Sequence, residues 1–118
     1  MVKIGISIGE LIDKITILRI KSKFSDSSYV KKELKDLEKI ASTLDYDSAD
    51  ESLLYGINQE LWNVEDLLRQ KEKQQDFDDE FIALARSVYY LNDKRAGIKK
   101  KINEECGSLY QEIKCYKN

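Results

Sequence analysis

The stretch SIGELIDKITILRIKSKF, Ser7 to Phe24, decides how the chain folds. It opens on a helix-start signature. Ser7 and Glu10 form S-x-x-E, in which the hydroxyl accepts from one free amide of the first turn and the carboxylate reaches back to another. Ile6 before the cap and Leu11 after it have the spacing of a hydrophobic staple. At about 100° per residue, Ile8, Leu11, Ile12, Ile15 and Leu18 fall within an arc of about 120°. Ile17, Ile20 and Phe24 fall on the other side. A helix with two apolar sides is either central in its own fold or pressed against another chain. In so small a bundle every helix lies near the surface, so this reading points to a second chain, with Ile17, Ile20, Phe24 and Trp62 as the expected interface.

Outward from this helix the pattern stays helical. Before it, VKIGI (residues 2–6) alternates apolar and variable positions and suits a short extended arm or edge strand. After it, FSDSS is a polar break, and Val30, Leu34, Leu37, Ala41 and Leu44 then make one narrow heptad seam. DYDSADES is the next break, with acids suited to the start of a following helix. Leu54, Ile57, Leu61, Val64 and Leu68 repeat the alternating spacing, flanked by Trp62. QQDFDDE ends that helix and starts another, with Asp76 or Asp78 as cap. Phe81, Leu84, Val88, Leu91, Arg95, Ile98 and Ile102 continue the seam, with Arg95 its one charged member. Gly107 breaks this helix, and SLYQEIKCYKN adds a last short turn with Leu109, Ile113 and Tyr116 inward. The two long helices are of equal length with a tight connection, which argues for an antiparallel hairpin. The expectation is a single all-α domain over residues 1–118, an antiparallel up-and-down bundle of about four helices with coiled-coil-like packing.

Composition agrees. The 118 residues are 42% apolar and 36% charged with no proline, a profile of long helices. A net charge of −2 gives no global pull toward nucleic acid or an acidic membrane surface. No uncharged stretch approaches the roughly 18 residues of a membrane span, and no leader pattern is visible, so a soluble cytosolic protein is expected. The absence of histidine excludes imidazole acid–base chemistry and histidine metal sites. On a continuous helix Cys106 and Cys115 would lie on opposite sides, about 13 Å apart by rise, and could not bridge unless the chain turns near Gly107; they read as reduced thiols. No metal site and no cofactor is expected.

Candidate chemistry is sparse. Glu33-x-x-Asp36 lies among lysines on the outer side of its helix and reads as solvated charge. The five cations between Lys94 and Lys101 scatter around the helix axis, with no aromatic interleaving, so nucleic acid is not an expected partner. Gly5 and Gly9 lack the lysine and hydroxyl of a phosphate loop. The set that stands out is polar residues on inward arcs: Arg19, Glu65, Asn92 and Arg95. An unpaired charge inside a bundle costs several kcal/mol, so these must meet each other, a ligand or water. Two arginines and a glutamate converging there could clamp a small anion, with Glu65 as the one internal base. The competing reading is that they pair with each other and fix register.

Two resemblances attach to these segments. ISIGELIDKITILRIKS, WNVEDLLRQKE and EFIALARSVYYLNDKRAGIKKKIN together resemble a family of short uncharacterised all-helical proteins from bacteria and their phages. Arg19, Trp62, Glu65, Arg69, Arg86, Asn92 and Arg95 carry that likeness. GELIDKITILRIKSK and LNDKRAGIKKKIN are also similar to the helical chorismate mutases, over about a third of the chain. The resemblance implies an intertwined all-α dimer that binds a dicarboxylate with arginines and a lysine. Only the Ile12-Asp13 start matches there, and Thr16 stands where the second aspartate of the pattern falls.

The sequence thus favours a non-catalytic, self-associating helical module that binds protein, a homodimer in the simplest case, with an unidentified protein partner. Its competitor is a small enzyme or metabolite binder using an arginine-lined pocket.

Overall fold

The structure, a computed structural model, describes residues 1–107. Four helices follow in order: α1 (Ile8–Phe24), α2 (Ser28–Ala41), α3 (Ser48–Gln74) and α4 (Asp79–Cys106). Together they form an all-α bundle. There is no strand among the described residues, and residues 1–7 form no regular element, with Val2 and Ile4 exposed. The proposed edge strand therefore has no sheet to join. The expected last turn beyond Gly107, with Leu109, Ile113, Cys115 and Tyr116, lies outside the described residues.

Local chemistry sets the helix ends. Ser7 Oγ accepts from the Glu10 amide at 3.1 Å, which is the first half of the capping box. The second half is replaced: Glu10 turns its carboxylate to Lys99, 2.8 Å away on α4. Asp47 and Asp78 cap α3 and α4 through the amides of Ala49 and Phe81. α3 ends in a paired-carbonyl closure, with Gln75 donating to Glu72 and Asp76 to Lys71. That closure puts Gln75 at φ 53°, a left-handed conformation usually left to glycine. α4 ends in the same left-handed conformation at Gly107, φ 67°.

α1 is the centre of the molecule. It packs against each of the other three helices, whereas the backbone of α2 approaches only that of α1. It runs antiparallel to α4, Gly9 meeting Asn103 and Asp13 meeting Lys99 and Arg95. The hairpin of α3 and α4 is also antiparallel, joined at one end by Lys71 to Asp78 and at the other by Lys101 to Asp50. Leu11, Ile12 and Ile15 form the core with Ala41 of α2, Leu54 of α3 and Ile102 of α4. Leu34, Leu37, Leu44 and Ile98 pack around it, so the seams fall where their spacing placed them.

This arrangement corrects the reading of the two-sided first helix. Ile20 is only 1% exposed within its own chain, so its apolar side needs no second copy. The premise that every helix of a small bundle lies near the surface fails because three neighbours surround one. Of the expected interface residues, Phe24 alone is largely exposed, at 63%.

The α3–α4 hairpin outgrows this core. Both helices are close to 40 Å long by their rise, and α1 covers only part of them. No residue from 59 to 90 is fully buried. The radius of gyration, 16.1 Å, exceeds the ~13 Å of a compact domain of this size.

Candidate functional site

Between the C-terminal half of α1 and the hairpin lies an open cleft of about 630 Å³. Its apolar floor comes from Ile17 and Ile20 of α1 and Leu61 and Trp62 of α3. The polar lining is Asn58, Glu65, Asp66 and Arg69 of α3 with Asn92 and Arg95 of α4. At the rim the Phe24 and Trp62 rings stack with centroids 5.4 Å apart and planes 7° from parallel.

Beneath the cleft lies a buried polar network that the sequence reading did not single out. Asp13 is fully buried on the side of α1 that faces the hairpin. Arg95 grips it side-on, Nε donating to Oδ1 at 2.9 Å and the terminal nitrogen to Oδ2 at 2.5 Å. Asn58 donates to Asp13 Oδ1 and to Thr16 Oγ1, both at 2.9 Å. Thr16 in turn donates to the Asp13 carbonyl. Lys99 stands 4.0 Å from the same carboxylate. A buried carboxylate is tolerable only when paired and multiply hydrogen-bonded, and these donors supply both. The signal in the sequence was Arg95 on a seam position, which requires an acid opposite; Asp13, flanked by apolar positions of α1, was that acid.

Further down the same interface, helix contact replaces ion pairing. Gly9 N donates to Asn103 Oδ1 at 2.7 Å. A Cβ at Gly9 would lie 2.5 Å from the Lys99 carbonyl oxygen, so only glycine allows α1 this close to α4. Asn103 Nδ2 and one oxygen of buried Asp50 have no hydrogen-bond partner among the described residues.

The expected polar set is only partly assembled. Glu65, Asn92 and Arg95 share the cleft. Arg19 lies elsewhere, paired with Glu38 of α2 and Glu51 of α3 at 3.4 and 3.2 Å. Periodicity placed it on the main face of α1, but that face looks toward two acidic neighbours. Glu65 is exposed at the rim and so is not an internal base. Tyr89 and Tyr90 are both about half exposed, with rings 4.4 Å apart.

The cleft lining contains no Ser, Thr, Cys, Lys or Tyr, so it presents no hydroxyl, thiol or amine nucleophile; its titratable groups are the carboxylates of Glu65 and Asp66. The one arginine at its floor is already engaged by Asp13. Among the described residues no group of three or more His, Cys, Asp or Glu could hold a metal ion. Three of the four acids of DFDDE converge on Lys71, with Asp78 at 2.9 Å and Asp76 and Glu80 at 3.4 Å. Hydrogen bonds from Lys71 and the Phe81 amide hold the Asp78 carboxyl below its usual range, and Asp78 foremost pushes Lys71 up. Cys106 is a free, half-buried thiol pushed up by burial and nearby acids. No helix among the described residues is long and apolar enough to cross a membrane.

Residues 2–118 match the family model of DUF6165, a family of unknown function. The chain belongs to that family, which takes in every helix described above. No curated protein and no solved structure matches it, so the likeness to chorismate mutases gains no support from relatives.

Proposed function

We propose that this chain is a non-catalytic, self-associating helical module that binds protein through the cleft and the uncovered length of the α3–α4 hairpin. One observation carries the reading: an open cleft with an apolar floor and a rim of mixed charge, beside a hairpin with no fully buried residue from 59 to 90. Small-molecule sites enclose their ligands and converge a few polar groups on them. This cleft is open rather than enclosing, and an apolar centre with aromatic and arginine anchors and a polar rim is what protein interfaces offer. Leu67, Ile82, Tyr89 and Tyr90 add exposed apolar surface to the same hairpin. The free thiol of Cys106 suits a reducing, cytosolic setting.

An anion-binding reading has one feature in its favour, Arg69 and Arg95 on the same cleft. It is the weaker because Asp13 already takes the side of Arg95 that would hold a carboxylate or phosphate.

The test is molar mass by light scattering across a dilution series, read together with fluorescence of Trp62, the single tryptophan. The expected result is a mass that rises with concentration while the Trp62 emission shifts. A monomer at every concentration with unchanged emission would remove the self-association. Thermal stabilisation by small carboxylates or phosphates, lost in Arg69→Met, would move the reading to the anion site.

A further inference from the structure

We infer that two copies of this chain dock antiparallel along the cleft side of α3, with Asp66 of each copy against Arg69 of the other. The inference rests on the self-association reading and supplies its geometry. Trp62, Asp66, Arg69 and Lys73 follow one another at helical spacing and form a single stripe along α3. The acids, Asp66 and neighbouring Glu65, stand toward its N-terminal half, and the bases toward its C-terminal half. A two-fold axis crossing α3 between Leu67 and Leu68 brings residue 66 opposite residue 69 of the second copy. The same axis brings 62 opposite 73, and 65 opposite 70. Two Asp66–Arg69 pairs then form at the centre. Each Lys73 then comes opposite a Trp62 ring, where a cation–π contact would use the face that is not stacked on Phe24. Glu65 meets the Gln70 amide.

Three observations select a second copy over a foreign protein. The charge pattern is self-complementary, so one stripe supplies both halves of an isologous contact. Glu65, Asp66, Arg69 and Lys73 have no ion-pair partner within 4.0 Å among the described residues, although their own helix offers neighbours of opposite sign. Asp66 and Arg69 also line both the main cleft and a second recess of about 510 Å³ that continues along α3. The surface is thus grooved on the two flanks of the residues that would pair.

The experiment uses the full chain as wild type, Asp66→Arg, Arg69→Asp, the double variant, and an equimolar mixture of the two single variants. Light scattering is run at a concentration where wild type is dimeric, and circular dichroism checks that each variant is folded. Each single variant places like charges at both pairing points and is expected to weaken the dimer tenfold or more. The mixture is expected to restore it, because an Asp66→Arg copy facing an Arg69→Asp copy has opposite charges at both pairing points. The double variant restores it by exchanging both signs. Single variants that remain dimeric would overturn this pairing while leaving self-association intact. Loss in the single variants without recovery in the mixture would overturn it too. A monomeric wild type at every concentration would remove both this inference and the self-association on which it rests.

Discussion

The lower and upper halves of the α3–α4 hairpin are written in the same heptad pattern and meet different fates. In the lower half, Leu54 and Ile102 are 1% exposed or less because α1 lies across them. In the upper half, Leu61, Val64, Leu68, Leu84 and Val88 continue the seam, yet none is fully buried. Two helices shield only the line between them, and a third is needed to close a core. The contrast teaches that spacing reveals which side of a helix faces a neighbour, not how many neighbours come. It also bears on the proposed function: the lower half holds the core, and the upper half carries a seam with no fully buried residue.

The largest effect that would sharpen this contrast belongs to the buried pair. Arg95→Met strands Asp13 and is expected to cost about 3–5 kcal/mol in urea denaturation. Replacing both residues, Asp13→Leu with Arg95→Met, is expected to recover much of that loss, since the pair is then exchanged for apolar contact. Next come the seams themselves. Ile15→Ala in the lower core is expected to cost about 2–5 kcal/mol, against ~1 kcal/mol or less for Val64→Ala above. Equal losses at the two sites would break the comparison. Gly9→Ala forces a methyl onto the Lys99 carbonyl oxygen and is expected to cost about 1–3 kcal/mol by the same assay.

The hairpin tip gives the smaller effects. Asp78 titrates below its ordinary range in the folded chain, so its contribution is complete above that range and is lost as pH falls from it through the lowered value. Lys71 is raised, so its contribution is complete below the ordinary lysine range and is lost only as pH rises through the raised value. The tip amides of Gln75 and Asp76 are therefore expected to keep constant protection through neutral pH and to lose it in acid, as NMR hydrogen exchange would record. The lower core should not follow them. Gln75→Gly removes a left-handed non-glycine residue and is expected to raise stability by ~1 kcal/mol.

Much of the architecture was legible before any coordinates. Ser7 marks a helix start by side-chain chemistry that acts within one turn, and the acids of DYDSADES and QQDFDDE mark two more without singling out Asp47 or Asp78. Gly107 marks an end because it takes the left-handed conformation without a Cβ penalty. The three seams hold because periodicity is a property of one helix. What periodicity cannot carry is the identity of the opposite face. Arg19 and Arg95 both looked inward, yet one meets Glu38 and Glu51 near the surface and the other a buried Asp13. Ile20 looked like an interface residue because nothing in α1 says that three helices will surround it. Asp13 was hidden for the opposite reason, since one acid in a helix start is an ordinary surface residue until its partner is known.

The most direct test of the account is amide hydrogen exchange on the wild-type chain at two concentrations, one at each end of the dilution series. The account predicts that amides of α1 and of α4 near Ile102 exchange only through global unfolding at either concentration. Amides of α3 from Trp62 to Lys73 should exchange faster when dilute and slow markedly when concentrated. Uniform protection along α3, unchanged by concentration, would contradict both the exposed hairpin as a binding surface and the division of labour between the two halves.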